Sequence, residues 1–367
     1  MKVTLPTQVL LDAVGHGAAV AASKSPKPVL ECVALRADTT TGLALEATDL
    51  DVGIRMHLDE ADVQEAGSMV VPGARLLSVV REVDEDTVTL AEEDGSLTIT
   101  TGQSHFRIRG EEAEGFVELP FFPDDGGATL PGEMLRRMIR RTVFATAKEA
   151  GRYALHGVLF HMDGKSLELV ATDGRRLARA AQGLDAAPGR DMRVIVGPKG
   201  LSLLDRVMGG SPGEVSVALE ERQVLFRVGS TLVISRLIDG TFPAYEDVIP
   251  AASKTGFQVA VADLAAALRR ASLLTTRDAQ SVQFDIGSEQ LTIRSRAPEV
   301  GEARVDVTIA YEGPSQQLGF NPGFISEALK VMDAESEVRF EFTDGKSPGR
   351  LSDSEDYVYV VMPIALE

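Results

Sequence analysis

One phrase occurs three times along the 367 residues. "MVVPGARLLSVVREV", "VIVGPKGLSLLDRVM" and "LGFNPGFISEALKVM" each read as an apolar strand, a proline turn and a short amphipathic helix. Their prolines, at 72, 198 and 322, are spaced by 126 and 124 residues. Proline at a helix start has its φ already set and lacks only a donor that the helix would not use there. A second phrase recurs upstream of each, with helices opening in "LPTQVLLDAVGHGAAV", "LPGEMLRRMIRRTVFAT" and "VAVADLAAALRRASLLT". After every helix, apolar and polar residues alternate around Gly or Asp turns, the mark of hairpins. A repeat of this length forbids one continuous core and predicts an α+β chain of three tandem copies. Each copy is a βαβββ-like unit taken twice, with two helices packed on antiparallel sheets. The expected domains are 1–122, 129–248 and 253–367. Linkers fall near 119–130 and 248–257, both rich in Pro, Gly, Ser or Ala.

The formal net charge of −18 argues against a nucleic-acid partner if it is taken as a uniform property. It is not uniform. Residues 82–94 carry Glu82, Asp84, Glu85, Asp86, Glu92, Glu93 and Asp94 without a base. Residues 129–156 carry Arg136, Arg137, Arg140, Arg141, Lys148 and Arg152 against Glu133 and Glu149. Helical spacing puts the four arginines of "MLRRMIRRTVF" on a stripe opposite Leu135, Ile139 and Val143. Arg269 and Arg270 hold the same register in the third copy, and Arg75, Arg81, Lys199, Arg206 and Lys330 sit on the second helices. Helices that line a common surface would attract phosphates, while the acidic strand region faces out. Phosphate contacts bind weakly and carry no sequence information, so such a protein needs a further means of retention, and encirclement supplies one.

No constellation for catalysis is present. His16, His57, His105, His156 and His161 match no metal spacing, and the last two are expected on one strand, facing opposite sides. The two "DGKS" stretches, from 163 and 344, lack the earlier glycine of a phosphate loop and read as hairpin turns. No catalytic residue, metal or cofactor is expected. Cys32 is the only cysteine, which excludes an intrachain disulfide and fits a reducing cytoplasm. No apolar run is long enough to span a bilayer and the amino terminus does not read as a secretory signal, so no membrane partner is expected. One duplicated triplet, Ala-Thr-Asp at 47–49 and 171–173, has two readings: a strand-end turn that tracks the fold repeat, or a repeated acid at Asp49 and Asp173 for a hydrolase.

"GRYALHGVLF" (151–160), "LELVATDGRRLA" (167–178), "LIDGTFPAYEDVIP" (237–250) and "YVYVVMPIAL" (357–366) together make the chain similar to the bacterial DNA polymerase III beta-subunit family, the sliding clamps, over essentially its full length. The resemblance implies a non-enzymatic processivity factor: three clamp domains per chain and a head-to-tail homodimer that closes a six-domain ring around double-stranded DNA. It implies DNA contacts at Lys24, Lys148, Arg152, Tyr153 and Lys199, with Arg75 and Arg81 more loosely placed, beside the arginines at 136, 137, 140 and 141. It implies a groove for short linear motifs of the replicative polymerase, the clamp loader and repair polymerases. That groove would use Arg152, Leu155, Thr172, Leu177, Pro243, Val248, Val360, Val361, Met362 and Pro363. At the dimer contact, Phe106 and Ile108 would meet Leu273 and Leu274. The chain departs from the family's pattern at Ala154, at Ala74 and Pro198, and at its Ala365-Leu366-Glu367 end, which bears on individual DNA contacts and the groove's rim. An acidic scaffold that binds partner peptides with weak or no DNA binding is the competing reading.

Overall fold

A computed structural model describes residues 1–112, 115–124, 127–148, 153–184, 191–209, 213–252, 255–276 and 281–366. Among the described residues a strand, a helix and three strands follow one another six times, with one further short strand, Asp62–Glu65, after the first set. The helices are α1 (Thr7–Val20), α2 (Gly73–Arg81), α3 (Gly132–Thr142), α4 (Pro198–Met208), α5 (Val261–Ala271) and α6 (Pro322–Leu329). The repeated prolines do what their position implies. Pro72 stands at the N-cap of α2, and Pro198 and Pro322 occupy the first turn of α4 and α6. Each helix buries one stripe against the sheets, as Leu264, Ala267, Leu268 and Ala271 do in α5.

The first strand of each half-repeat joins the sheet of the neighbouring half. Lys2–Pro6 pairs with Thr87–Glu93, and Gly67–Pro72 with Cys32–Asp38. The third copy does the same through Gly256–Ala260 with Glu337–Glu341 and Gln316–Phe320 with Val282–Ile286. This exchange interlocks the halves, so that neither could bury its apolar face alone.

Four antiparallel sheets result, of five, eight, eight and four strands. Both eight-stranded sheets are made by joining strands of two successive copies edge to edge. In the first, Thr231–Arg236 of copy two pairs with Val52–Leu58 of copy one. In the second, Tyr357–Val361 of copy three pairs with Arg176–Gly183 of copy two. Each seam therefore unites the last strand of one copy with the third strand after the first helix of the preceding copy. The five- and four-stranded sheets each have an edge strand, Ser104–Arg109 and Gly301–Thr308, paired on one side only among the described residues.

Tertiary contacts divide the chain into two compact units. Unit 1 is Met1–Arg136, Pro188–Arg190 and Val196–Leu237, and unit 2 is Arg137–Ala187, Asp191–Ile195 and Ile238–Glu367. Each unit contains one seam. Two local expectations change. Strands Ala128–Pro131 and Gly256–Ala260 begin inside the stretches read as linkers. His156 ends a 3-10 turn, Tyr153–His156, while His161 lies on the strand Val158–Asp163, so the two do not share a strand.

Candidate functional site

The duplicated triplet is one turn built twice. Thr48 Oγ1 donates to the Val52 carbonyl at 2.9 Å and accepts from Leu50 N at 3.0 Å. Thr172 Oγ1 donates to the Arg176 carbonyl at 2.6 Å and accepts from Gly174 N at 3.1 Å. Asp49 Oδ1 caps Asp51 N and Val52 N, and Asp173 Oδ1 caps Arg175 N and Arg176 N. These are Asx and Ser/Thr turns, in which a short polar side chain satisfies the backbone of a tight corner. The central residue has φ of 81° at Leu50 and 87° at Gly174, so the second copy carries the residue suited to that corner.

After the second turn comes Arg176, a buried cation. It donates to Asp173 Oδ2 at 3.0 Å, to Glu327 of α6 and to the Phe144 carbonyl at 2.9 Å. Its guanidinium lies 4.5 Å from the Phe324 ring centroid and 5.5 Å from that of Phe144. Burial is the largest single influence and opposes its charge, but Glu327 and Tyr359 together outweigh it and raise its pKa above the ordinary arginine value. Tyr359 adds a hydroxyl bond to the Phe324 carbonyl at 2.8 Å. Together they fix α6 to the seam.

In register, Leu177 faces Val360 and Arg176 faces Val361 across the seam. Leu177 and Val360 belong to a buried cluster with Leu159, Val170, Ile195, Phe242, Tyr245 and Val358. Tyr245 pins the segment after copy two to this floor by donating to Glu168, which also accepts from Arg179. Burial first, then the Glu168 carboxylate, push the Tyr245 phenol well above its usual pKa, so the hydroxyl stays a donor. Over the floor stand Val248 and Met362, 48 % and 40 % exposed, with Ile364 and Leu366 following. Met362 N donates to the Arg175 carbonyl, and Ile364 bridges Gly319. A Cβ at residue 319 would lie 2.5 Å from the Ile364 carbonyl, so the tail lies here because that residue is glycine.

Of the groove residues expected from the sequence, Leu177 and Val360 lie in this floor and Thr172 in its turn; Leu155 and Val361 are also buried, Val361 on the opposite face of its strand from Val360, and Pro243, Val248 and Met362 are exposed. Pro363 is half-buried. Arg152 lies outside the described residues, as does the side chain of Tyr153. Phe242, Tyr245, Arg176 and Glu168 were not singled out. The alternation of "LELVA" and the aromatic pair in "FPAY" were the available signals, but both equally describe ordinary core.

The basic residues separate into two kinds. Lys24, Arg75, Arg137, Arg140 and Lys148 are exposed. Arg136 pairs with Asp205 at 3.2 Å, and Arg141 with Asp353 at 2.6 Å while lying over the Tyr357 ring. Lys199 is held by Asp49 and by the Val20 carbonyl. The stripe of four arginines on α3 is thus split, with the outer pair tied to neighbouring carboxylates. Of the expected dimer residues, Leu273 is 74 % exposed and Phe106 and Leu274 are half-buried, whereas Ile108 packs inside the chain opposite Leu97. No His, Cys, Asp and Glu cluster suited to a metal, and no helix long and apolar enough to cross a membrane, occurs among the described residues.

The N-terminal, central and C-terminal domain profiles of the DNA polymerase III beta subunit match residues 1–120, 129–244 and 246–365. The beta sliding clamp of Pseudomonas aeruginosa is 32 % identical over the whole of both chains. This chain belongs to the DNA polymerase III beta-subunit family. The beta sliding clamp of Chlamydia muridarum is 31 % identical over 95 % of this chain and 94 % of its own. The crystal structure of the Thermotoga maritima beta subunit superposes with a TM-score of 0.91 at 29 % identity, covering all of both chains. The sliding clamps are processivity factors and not enzymes, and the duplicated aspartates of this clamp are turn caps.

Proposed function

We propose that two copies of this chain close a ring around duplex DNA and hold replication proteins to it through the groove over Leu177 and Val360. The ring is built from modules 1–122, 129–248 and 253–367. The seam rule carries the closure. Within the chain, each last strand of a copy pairs with the third strand after the first helix of the preceding copy. The two strands left over, Ser104–Arg109 and Gly301–Thr308, are the members of a third such pair, available only to another copy. Unpaired edges invite strand addition, and repeating one heterologous contact twice gives a closed dimer. Phe106, Leu273 and Leu274 flank those edges.

Duplex DNA would be held by Lys24, Arg75, Arg137, Arg140 and Lys148, with Arg152 and Tyr153 added from the family pattern. Lys199, Arg136 and Arg141 would contribute only by exchanging their internal carboxylates for phosphate. Those internal pairs are also what favours the second reading, a peptide-binding scaffold with weak DNA affinity. The occupants of the groove are short linear motifs of the replicative polymerase, the clamp loader and repair polymerases, anchored by leucine or phenylalanine against a methionine wall that tolerates varied shapes. The protein would work in the cytoplasm. The test is a fluorescent polymerase-tail peptide titrated against the full-length protein. Met362→Lys, at an exposed position, should weaken binding about tenfold, a loss of about 1.4 kcal/mol. Unchanged affinity would exclude the groove as the site.

A further inference from the structure

Nine large apolar side chains are exposed among the described residues, and they fall into three groups. Val248 and Met362 belong to the proposed groove, and Ile364 and Leu366 follow on the tail that passes Gly319. Leu273 and Val300 lie beside the edge strand Gly301–Thr308. Leu50, Val117 and Phe121 belong to neither place, although Phe121 is 68 % exposed. Leu50 and Val117 line a cavity of about 960 Å³ within unit 1.

That cavity is the first seam's counterpart of the groove. Counted from the duplicated triplet, Gly53 stands where Leu177 does, and Ile234 faces it as Val360 faces Leu177. The segment after copy one, Val117–Pro120, supplies its wall, as Pro243 and Val248 do in the second seam. Two substitutions distinguish the sites. Glu46 replaces the apolar Val170, and it forms a buried pair with Arg55 at 2.6 Å. Arg55 also donates to the Leu119 and Pro120 carbonyls, both at 2.9 Å, so the wall is fixed before anything binds. A Cβ at residue 53 would meet Leu119 Cδ2 at 2.8 Å, so Leu119 fills the space that the Leu177 side chain takes in the other seam. At the mouth, Asp51 stands where Arg175 does, and Glu118, Glu220 and Glu221 join it against Arg222 and Arg236. The cleft is apolar within and acidic at its rim.

We propose that this cleft docks a second kind of partner segment, a short extended peptide whose leucine or phenylalanine anchor is flanked by lysines or arginines. Shape and apolar lining accept the anchor, and the acidic rim selects the basic flanks. The site is separate from the groove and requires no change in the partner bound there.

The test uses the full-length protein with labelled Ile, Leu and Val methyl groups, titrated with the capped hexapeptides KKLFKK and EELFEE. The expected result is progressive shifts at Leu50, Val117 and Ile234 with KKLFKK, at least tenfold tighter than with EELFEE. Glu118→Lys with Glu221→Lys, both exposed positions, should weaken KKLFKK at least tenfold and leave the polymerase-tail peptide's affinity for the groove unchanged. No movement of these methyls up to millimolar peptide, movement confined to the methyls of Val248 and Val360, equal response to both peptides, or undiminished binding by the double variant would each overturn the proposal. The groove titration is read separately, so its failure would bear on the proposed function and not on this cleft.

Discussion

Replacing Arg176 by leucine removes three hydrogen bonds and two ring contacts from one side chain that is 4 % exposed. Breaking a buried ion pair from one side costs roughly 3–5 kcal/mol, because the partner is left uncompensated. Here the low end applies. Asp173 keeps two backbone donors, and the Glu327 side chain is 36 % exposed, so water reaches it. A loss of about 3 kcal/mol in a unit of this size lowers the melting temperature by roughly 6–12 °C. Because Arg176 follows the Thr172 turn and precedes Leu177, peptide affinity in the groove should fall with it, about tenfold. Arg176→Lys keeps the charge, but one ammonium cannot serve a carboxylate on each side and a carbonyl together, so it should recover less than half of the lost stability. Differential scanning calorimetry of the full-length protein, paired with the fluorescent peptide titration, reads both quantities. A fall below about 2 °C for Arg176→Leu, or a lysine variant indistinguishable from the parent, would refute the reasoning.

Leu50 adopts the left-handed conformation that costs a side chain roughly 1–2 kcal/mol, against roughly 0.5–1 kcal/mol of added chain entropy for glycine, so Leu50→Gly should raise stability slightly and Gly174→Leu should lower it. Calorimetry showing the opposite order would contradict the matching of the two turns. His16 on α1 has its pKa lowered, first by burial and then by Arg206. Its folded form favours the neutral ring, so its contribution is fully present above pH 6.5 and is lost as pH falls through the folded pKa. The melting-temperature difference between the parent and His16→Asn should therefore shift between pH 8 and pH 5, and a constant difference would exclude the role. Leu273→Asp puts a charge on a 74 % exposed leucine of the proposed dimer contact and should halve the mass measured by light scattering.

The helices and hairpins were legible because their signals are local. Apolar spacing placed Leu135 and Ile139 on the buried side of α3, and the prolines marked the starts of α2, α4 and α6. The seams were not legible, since pairing 231–236 with 52–58 joins strands far apart in sequence whose patterns only say that each is a strand. At the site, the ion pairs of Arg136, Arg141 and Lys199 were not legible either, because Asp205, Asp353 and Asp49 come from other elements. Charge counting along α3 treated as one face a set of arginines of which Arg136 and Arg141 are held by Asp205 and Asp353. Ile108, on an edge strand, is buried within its own chain, which its place in the sequence did not reveal.

The most direct test of ring closure around DNA is retention on a nicked circular plasmid after loading, followed by a single restriction cut. The labelled protein should stay with the circle at a salt concentration that abolishes phosphate contacts, and leave within the time of the cut as it slides from the new ends. Protein that washes off the circle as readily as from linear DNA, or that remains on the DNA after linearisation, would contradict encirclement.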